Sequence, residues 1–338
     1  MSKNRTALAV LTEAEVLDFL PSPSLERLQD LLPDLEIVDP LTDEFGDWPR
    51  RLAEKRPEIL ITGWKVPTLP ESWLEDPNYS LRYLCHCTGT VRKLIPRAFL
   101  DRGLVVTNWG HSISRVVAEC GLLLTLTALR RVSSWSIDMH LNGAWKTPDV
   151  YVESLFGRQV GLHGFGNISQ HLARLLKPFG VRVSTYSPSV PDSLLESFGV
   201  ARAESLEDLF SENNVIIELA AYKPENRHLV SEKLLRMIPE GGTFVNIGRG
   251  AVVDEGALLR IAREGCLQVA LDVYEVEPLP ADSGFRGLPN VTLLPHLGGP
   301  TIDRRQDAGA HGVDNIERYL KGEPLESVVS LSVYDRST

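Results

Sequence analysis

Three side chains with complementary chemistry follow strands in the second half of this sequence. Arg249 comes shortly after one predicted strand, Glu277 five residues after the end of a second, and His296 shortly after a third. The carboxyl ends of parallel strands lie at one edge of a sheet, and ligands bind outside that edge. A guanidinium, a carboxylate and an imidazole, groups that bind anions and move protons, are therefore predicted to meet there.

Each of these residues also has an ordinary structural explanation. An arginine in a Gly-Arg-Gly turn is often a surface residue, and a glutamate before Pro278 can be a solvated loop residue. A histidine below a loop is often a hydrogen-bonded core residue. Because all three fall at the binding edge of one predicted sheet, the sequence favours the functional interpretation.

A glycine-rich segment, Gly164-Phe165-Gly166-Asn167-Ile168-Ser169, lies between a predicted strand and a predicted helix. A dinucleotide-binding fingerprint requires this context, since glycines let the backbone approach a pyrophosphate and a helix N-terminus favours its charge. Ser169 replaces the third glycine, which normally allows close packing of helix and strand, so the motif is weakened but kept. The alternative is a plain strand-turn-helix junction. The predicted cofactor contacts of this segment are Gly164, Gly166, Asn167 and Ile168.

The choice between the two nicotinamide dinucleotides stays open. The fingerprint normally has an acidic residue ~20 positions further on, which binds the adenosine ribose hydroxyls. Ser187 stands at that place, and no arginine or lysine occurs between residues 188 and 200 to bind a 2′-phosphate. The sequence therefore predicts NAD(H) or NADP(H) as the cofactor, with Ser187 beside the adenosine ribose.

A parallel sheet is needed to position these residues, and the sequence from residue 155 onward predicts one. Short β-branched runs alternate there with helix-periodic runs, which is the pattern of βαβ units. The predicted strands are 160–163, 181–186, 215–219, 243–247, 268–272 and 291–294, and the predicted helices are 168–179, 206–210, 231–238 and 254–263.

The chain is long enough for two α/β domains. Residues 1–112 predict a smaller unit with strands at 7–11, 36–38, 59–61, 83–85 and 105–107. The helix-like segment 303–320 has no strand left to follow, so we expect it to return to the first domain. The predicted domains are 1–112 with 303–338 for the substrate, and 113–302 for a doubly wound Rossmann cofactor domain, with a cleft between them.

Composition excludes several classes of protein. The chain has 338 residues, 43% of them hydrophobic and 24% charged, with a net charge of -10, so neither disorder nor a basic nucleic-acid-binding domain is expected. Four cysteines are too few for a disulfide framework and suit a reducing compartment. The apolar stretch 116–129 is shorter than a membrane span and predicts a buried helix. A cytoplasmic protein without membrane or nucleic-acid partners is expected.

Four separate blocks of sequence resemble the D-isomer-specific 2-hydroxyacid dehydrogenases. This family includes the phosphoglycerate, glyoxylate/hydroxypyruvate, D-lactate and formate dehydrogenases. The resemblance implies a flavodoxin-like substrate domain interrupted by the cofactor domain, and a homodimer formed through the long helix around 116–129. The blocks are 160–169, 246–254, 270–278 and 289–299, and they occur in family order.

The resemblance also implies a role for each candidate residue. Arg249 resembles the arginine that holds the substrate carboxylate and polarises the carbonyl, and His296 the acid/base that protonates the ketone oxygen of a 2-oxo acid. Glu277 is similar to the carboxylate that pairs with this histidine and stabilises imidazolium. Asp272 matches the position that contacts the nicotinamide carboxamide. Formate dehydrogenases carry glutamine in place of Glu277, which argues against that branch.

One block departs from the family. The chain has Gly89-Thr90-Val91-Arg92 where family members commonly have Gly-x-Gly-x-Asp, a stretch whose backbone amides hold the substrate carboxylate. Gly89 and Thr90 are predicted substrate contacts. Arg92 is either a second cation for an acidic substrate or a surface residue.

No metal is predicted. The Cys85-His86-Cys87 segment lies on a strand, whose alternation sends the histidine to the face opposite the cysteines, and no second ligand pair occurs at zinc spacing.

The sequence predicts an NAD(P)-dependent D-2-hydroxyacid dehydrogenase that interconverts a 2-oxo acid and a D-2-hydroxy acid. The alternative is a dinucleotide-sensing binding protein, like the corepressors built on this fold, in which catalysis is incidental. Fold resemblance alone does not separate the two. The presence of all three of Arg249, Glu277 and His296 favours the enzyme.

Overall fold

A computed structural model describes residues 5–148 and 150–336 of the chain. It divides into two compact units, Met1–Ile113 with Pro300–Thr338, and Ser114–Gly299. We call these unit 1 and unit 2. The chain thus leaves unit 1 once and returns to it after unit 2 is complete.

Unit 1 contains a five-stranded parallel sheet in the order β2-β1-β3-β4-β5. This is the flavodoxin-like strand order. The strands are Ala7–Val10 (β1), Glu36–Val38 (β2), Ile59–Thr62 (β3), Tyr83–His86 (β4) and Val105–Thr107 (β5). The helices of unit 1 are Glu13–Phe19 (α1), Ser22–Leu31 (α2), Trp48–Lys55 (α3), Arg97–Asp101 (α4), Arg305–Lys321 (α12) and Leu331–Arg336 (α13).

Both faces of this sheet are buried, as expected for parallel strands covered by helices. Ala7 and Ala9 of β1 pack into one apolar cluster, whereas Leu8 and Val10 pack into another on the opposite face. Helix α12 lies over the first of these clusters. Gly309 permits its close approach, because a Cβ atom there would stand 1.6 Å from the carbonyl oxygen of Phe19.

Unit 2 contains a seven-stranded parallel sheet in the order β12-β11-β10-β9-β6-β7-β8. The order reverses between β9 and β6, which makes the sheet doubly wound and places a ligand crevice outside that point. The strands are Gln159–His163 (β6), Arg182–Tyr186 (β7), Ala201–Arg202 (β8), Val215–Glu218 (β9), Thr243–Asn246 (β10), Gln268–Leu271 (β11) and Val291–Leu293 (β12).

The helices of unit 2 bury apolar faces on this sheet. In the helix after β6, Leu172 and Leu176 are four residues apart and fully buried, and Gly180 ends the following turn with a positive φ. The helices are Ser114–Arg130 (α5), Val132–Asn142 (α6), Asn167–Leu176 (α7), Asp192–Phe198 (α8), Leu206–Glu212 (α9), Glu232–Leu235 (α10) and Glu255–Glu264 (α11).

The predicted combination of a Rossmann sheet and a smaller flavodoxin-like unit is confirmed. In unit 2 the prediction missed α6, α8 and β8, and it made α10 twice as long as it is. In unit 1 it gave bounds for the five strands and for the helix at 303–320 but for none of the other helices. Helix α8 has seven residues and buries only Leu195, and β8 has two residues, so neither carries enough periodic sequence to be recognised. Among the described helices, none combines the length and the apolar character that a membrane crossing requires.

Candidate functional site

A histidine–glutamate pair lies beyond the carboxyl ends of β11 and β12. His296 Nδ1 is 2.7 Å from Glu277 Oε2, and both side chains remain partly exposed. When Nδ1 carries the proton it donates to the carboxylate, which leaves Nε2 as the ring atom that can exchange a proton with a ligand. The structure therefore joins two of the three predicted catalytic residues.

Tyr274 holds this pair in place. Its backbone N–H donates to Glu277 Oε1 at 3.0 Å, so one carboxylate oxygen is occupied while the other meets His296. Its hydroxyl donates to the carbonyl oxygen of Leu294 at 2.7 Å, two residues before the histidine. Tyr274 thus fixes the glutamate and the chain that leads to the histidine.

Arg249 lies in a tight loop after β10. Asn246 Oδ1 accepts from the Gly248 N–H at 3.0 Å, and Arg249 Nη1 donates to the Gly248 carbonyl at 2.7 Å. Gly250 permits the loop to press on the chain after β11, since a Cβ atom there would stand 1.9 Å from the carbonyl carbon of Tyr274. Only glycine fits this contact, which brings the arginine toward the histidine–glutamate pair.

The electrostatics place Arg249 close to Glu277. Although the side chain is accessible to solvent, protein atoms crowd the guanidinium, and the resulting desolvation lowers the pKa of Arg249 while the charge of Glu277 raises it. An arginine stays charged in proteins, so the lowered pKa marks a desolvated cation rather than a neutral one. A partly desolvated guanidinium binds a carboxylate more strongly than a fully hydrated one does.

Asp272 has a structural task that the sequence did not reveal. Its carboxylate is buried and accepts backbone N–H groups from Leu297 at 2.7 Å and from Gly298 at 2.8 Å. These bonds hold the segment directly after His296. The implied contact of Asp272 with the nicotinamide carboxamide stays a prediction, and it requires a lone pair beyond those two bonds.

The glycine-rich turn fits a dinucleotide. Gly164 has φ +89°, and a Cβ atom there would stand 3.1 Å from Ala220 Cα, whereas a Cβ atom at Gly166 would meet nothing within 4 Å. Gly166 precedes Asn167, the first residue of α7, so its backbone lies at the end of the helix where the first N–H groups have no partner within the helix. Ser169 compensates for the missing glycine, because its hydroxyl donates to the Gly164 carbonyl at 2.8 Å.

A buried ion pair underlies this turn, and the sequence analysis missed it. His163 is the last residue of β6 and Glu218 the last of β9, and His163 Nδ1 is 2.5 Å from Glu218 Oε2. The other carboxylate oxygen accepts from the Ala220 N–H at 2.7 Å. Burial lowers the pKa of His163, but the charge of Glu218 and their hydrogen bond outweigh it, so the pKa is raised. The position of His163, directly before the glycine-rich turn, is the sequence feature that could have indicated this pair.

Ser187 lies where the sequence placed it, directly after β7. The sequence analysis missed a cation that contacts this loop. Arg202, on the neighbouring strand β8, donates to the carbonyl oxygens of Ser187 at 3.3 Å and Val190 at 2.6 Å. Its Nε donates to Asp192 at 2.6 Å. The absence of arginine and lysine from 188–200 therefore does not make this loop free of positive charge.

The predicted substrate contacts of unit 1 follow β4. A Cβ atom at Gly89 would stand 2.8 Å from the Trp109 ring, so glycine is needed there. Thr90 is exposed, and its hydroxyl accepts from the Arg92 N–H at 3.4 Å. The Arg92 guanidinium lies 6.0 Å from the centre of the Tyr334 ring, which gives it a packing partner. A substrate role for Gly89, Thr90 and Arg92 stays a prediction.

A cavity of about 690 Å³ lies beside the histidine–glutamate pair in unit 2. Its lining is mainly apolar, with a few polar groups, which is typical of small-molecule sites. The lining residues are Tyr274, Glu277, Pro278, Leu279, Arg286, Leu293, Leu294, Pro295 and His296.

Comparison with known proteins gives concordant matches. Residues 122–298 match the family described as D-isomer specific 2-hydroxyacid dehydrogenase, NAD binding domain. The chain is 30% identical over 235 residues to a D-3-phosphoglycerate dehydrogenase of Methanocaldococcus jannaschii, which covers 69% of this chain and 44% of that relative. It is 30% identical over 319 residues to a glyoxylate/hydroxypyruvate reductase of Arabidopsis thaliana, which covers 93% of this chain and 94% of the relative.

A solved protein structure from Thermus thermophilus is similar over the whole fold. The TM-score is 0.76 at 27% identity, covering 96% of this chain and 99% of that one. The chain spans less than half the length of the archaeal relative but nearly the full length of the plant relative and of the solved structure.

Proposed function

The chain belongs to the D-isomer specific 2-hydroxyacid dehydrogenase family, and from this premise we propose that Arg249, Glu277 and His296 carry its reaction. It is an NAD(P)-dependent oxidoreductase of the 2-oxo acid and D-2-hydroxy acid pair. The observation that supports the assignment is the 2.7 Å bond between His296 and Glu277, at the sheet edge where the Arg249 loop also ends.

His296 delivers the proton of the reaction. In the reductive direction the imidazolium gives its Nε2 proton to the ketone oxygen, and the neutral ring keeps its Nδ1 proton on Glu277. The bound nicotinamide supplies the hydride that the substrate carbon receives. In the oxidative direction neutral His296 takes the hydroxyl proton. Glu277 fixes the tautomer and stabilises the charged ring in both directions.

Arg249 holds the substrate. Its planar guanidinium can donate two parallel hydrogen bonds to a carboxylate, which orients the acid group and places the adjacent carbonyl toward His296. The same positive charge stabilises the negative charge that grows on the carbonyl oxygen during reduction.

The cofactor is held by the start of α7. Gly164, Gly166, Asn167 and Ile168 present backbone to the pyrophosphate, and the helix terminus favours its charge. Ser187 faces the adenosine ribose without the charge that would reject a 2′-phosphate. We therefore propose weak discrimination between NAD(H) and NADP(H). Asp272 is proposed to contact the carboxamide end of the nicotinamide while it holds the segment after His296.

Exposed apolar side chains and free thiols support proposals on the assembly and the location of the protein. Helices α5 and α6 expose large apolar side chains, including Leu123 at 55% and Leu141 at 77% exposure. Such a surface is typical of a protein interface, so we propose a homodimer through α5. The four cysteines are free thiols, which supports a cytoplasmic location. Sedimentation of the purified chain tests the dimer.

A panel of 2-oxo acids assayed with NADH and with NADPH tests the proposed function. We expect turnover of at least one small 2-oxo acid, lost when His296 is replaced. Cofactor binding without turnover of any acid in the panel would contradict the enzyme assignment and favour the dinucleotide-sensing alternative. Including glyoxylate, hydroxypyruvate and phenylpyruvate in the panel separates substrates by side-chain size and polarity.

A further inference from the structure

Two histidines and a glutamate, none of them assigned to the reaction, converge in unit 1. His111 follows β5, His311 lies on α12 and Glu326 lies in the segment after α12. His111 Nε2 is 3.2 Å from Glu326 Oε2, and His311 Nδ1 is 4.0 Å from the same oxygen. One ligand atom from each residue lies within 4.8 Å of the others.

These separations suit a metal ion better than they suit hydrogen bonds alone. Bonds of ~2.0–2.2 Å from Zn²⁺ to nitrogen and oxygen place neighbouring ligand atoms of a tetrahedron roughly 3.3–3.6 Å apart. The histidine–glutamate distances of 3.2 and 4.0 Å bracket this range, whereas 4.0 Å is too long for a hydrogen bond. The two rings are inclined at 62° with centres 5.0 Å apart, so they do not stack on each other.

The surrounding residues orient the three groups. His311 Nε2 is 3.0 Å from Ser327 Oγ and 3.3 Å from Asn315 Nδ2, and these two contacts hold the ring with its Nδ1 atom toward the glutamate. Arg318 Nη1 lies 2.5 Å from Glu326 Oε1, so the second carboxylate oxygen, Oε2, remains for the ion. Asn315 fixes the backbone there, because its Oδ1 accepts from the Glu326 N–H at 2.8 Å.

We propose that His111, His311 and Glu326 form a binding site for Zn²⁺ or a similar transition-metal ion, with a fourth position open to water. The ligands come from three separate parts of unit 1, the loop after β5, α12 and the segment after it. A bound ion would therefore link the chain just before it leaves unit 1 to the chain that returns. Binding to the folded state alone raises the stability of this unit in proportion to the logarithm of free zinc.

The test is zinc binding by the full chain after dialysis against a chelator. We expect one equivalent of Zn²⁺ per chain in a competition titration, and the visible absorption of tetrahedral Co²⁺ when cobalt replaces it. His111→Ala and Glu326→Gln should weaken binding by at least the ~10- to 100-fold that loss of a supporting residue alone typically causes. His111 is half exposed, so this truncation leaves the core intact.

His228→Ala is the matched control. His228 forms a comparable pair with Glu275, at 3.0 Å, but it belongs to no group of three ligands among the described residues. Zinc binding should be unchanged in this variant, and the 2-oxo acid reductase activity of His111→Ala should match that of the native chain. Absence of zinc binding in the native chain, or undiminished binding in both His111→Ala and Glu326→Gln, would overturn the proposal.

Discussion

In each of the two sheets an interior strand ends in a buried histidine, His86 in β4 and His163 in β6. The first histidine has uncharged partners and the second has a carboxylate. In unit 1, His86 lies between two hydroxyls, with Thr62 Oγ1 2.8 Å from Nδ1 and Thr88 Oγ1 2.5 Å from Nε2. Burial lowers the pKa of His86 to about 4. In unit 2, His163 faces the carboxylate of Glu218, and its pKa is raised.

The comparison shows that burial keeps a histidine neutral when its partners carry no charge, and that a carboxylate partner reverses this effect. The two hydroxyls beside His86 carry no charge, and desolvation outweighs the opposing hydrogen bond to the Thr90 backbone, so the ring stays neutral. A carboxylate gives His163 a charge to pair with. The edge of unit 2 that includes His163 also carries Arg249, Glu277 and His296, and we call it the charged edge.

Removal of the proposed proton donor, His296, should cause the largest loss of enzyme activity. His296→Ala is expected to lower kcat by ~100- to 10,000-fold, the range of general acid/base catalysis. Glu277→Gln keeps a hydrogen-bonding group and should cost less. Steady-state kinetics check both, with His140→Ala, an exposed histidine on α6, as the control. A His296→Ala variant within tenfold of the native rate would return this histidine to a structural role.

Breaking the buried His163–Glu218 pair of unit 2 should lower the free energy of unfolding. Glu218→Gln leaves His163 without its charge partner, and breaking a buried pair typically costs about 3–5 kcal/mol of unfolding free energy. Because the folded pKa of His163 is raised, this stabilisation is fully present below pH ~6.5 and is lost as pH rises through the folded value. Denaturant unfolding at pH 6 and pH 9 should show the larger loss at pH 6. Equal losses at both values would contradict the raised pKa.

His86 should give the opposite pH dependence. Its folded pKa of about 4 lies below the unfolded value of ~6.5, so the unfolded state takes up a proton first as pH falls between these values. The difference destabilises unit 1 by about 3 kcal/mol at pH 4 relative to pH 7. His86→Gln should remove this acid-dependent part. Hydrogen exchange of β4 amides at pH 7 and pH 4 measures this difference in unit 1 alone, and the same pH dependence in the native chain and in His86→Gln would contradict it.

Within the charged edge, geometry should matter as well as charge. Arg249→Lys keeps the positive charge but cannot form two parallel bonds to a carboxylate, so kcat/KM is expected to fall roughly tenfold to a hundredfold. Arg263→Lys, an exposed residue at the end of α11, provides the matched control. Near-native kcat/KM in Arg249→Lys would show that the arginine does not bind the substrate in the forked geometry.

The smallest expected effect concerns cofactor choice. Ser187→Asp adds an acceptor for the ribose hydroxyls and repels a 2′-phosphate, so it should shift preference toward NADH by about tenfold to a hundredfold. Ser189→Asp places the same charge two residues further along the loop and should shift it less. Kinetics with both reduced cofactors measure the shift. A native preference beyond roughly a thousandfold would contradict weak discrimination.

Much of this molecule follows from local sequence patterns. Runs such as 243–246 have the length and β-branched content of buried strands, and the glycines at 164 and 166 mark the turn that starts α7. Arg249, Glu277 and His296 were found because each follows a strand, and parallel strands end at one edge. These inferences need only the backbone period and the order of elements, which the sequence determines by itself.

Only the tertiary structure decided which distant side chains pair. His163 meets Glu218 because β6 lies beside β9, 55 residues further on, and Arg202 reaches the Ser187 loop from the adjoining strand β8. His111 meets Glu326 across 215 residues because α12 returns to unit 1. Such pairings depend on strand order and helix placement, which are set by burial of both sheet faces over the whole chain, and no local pattern encodes them.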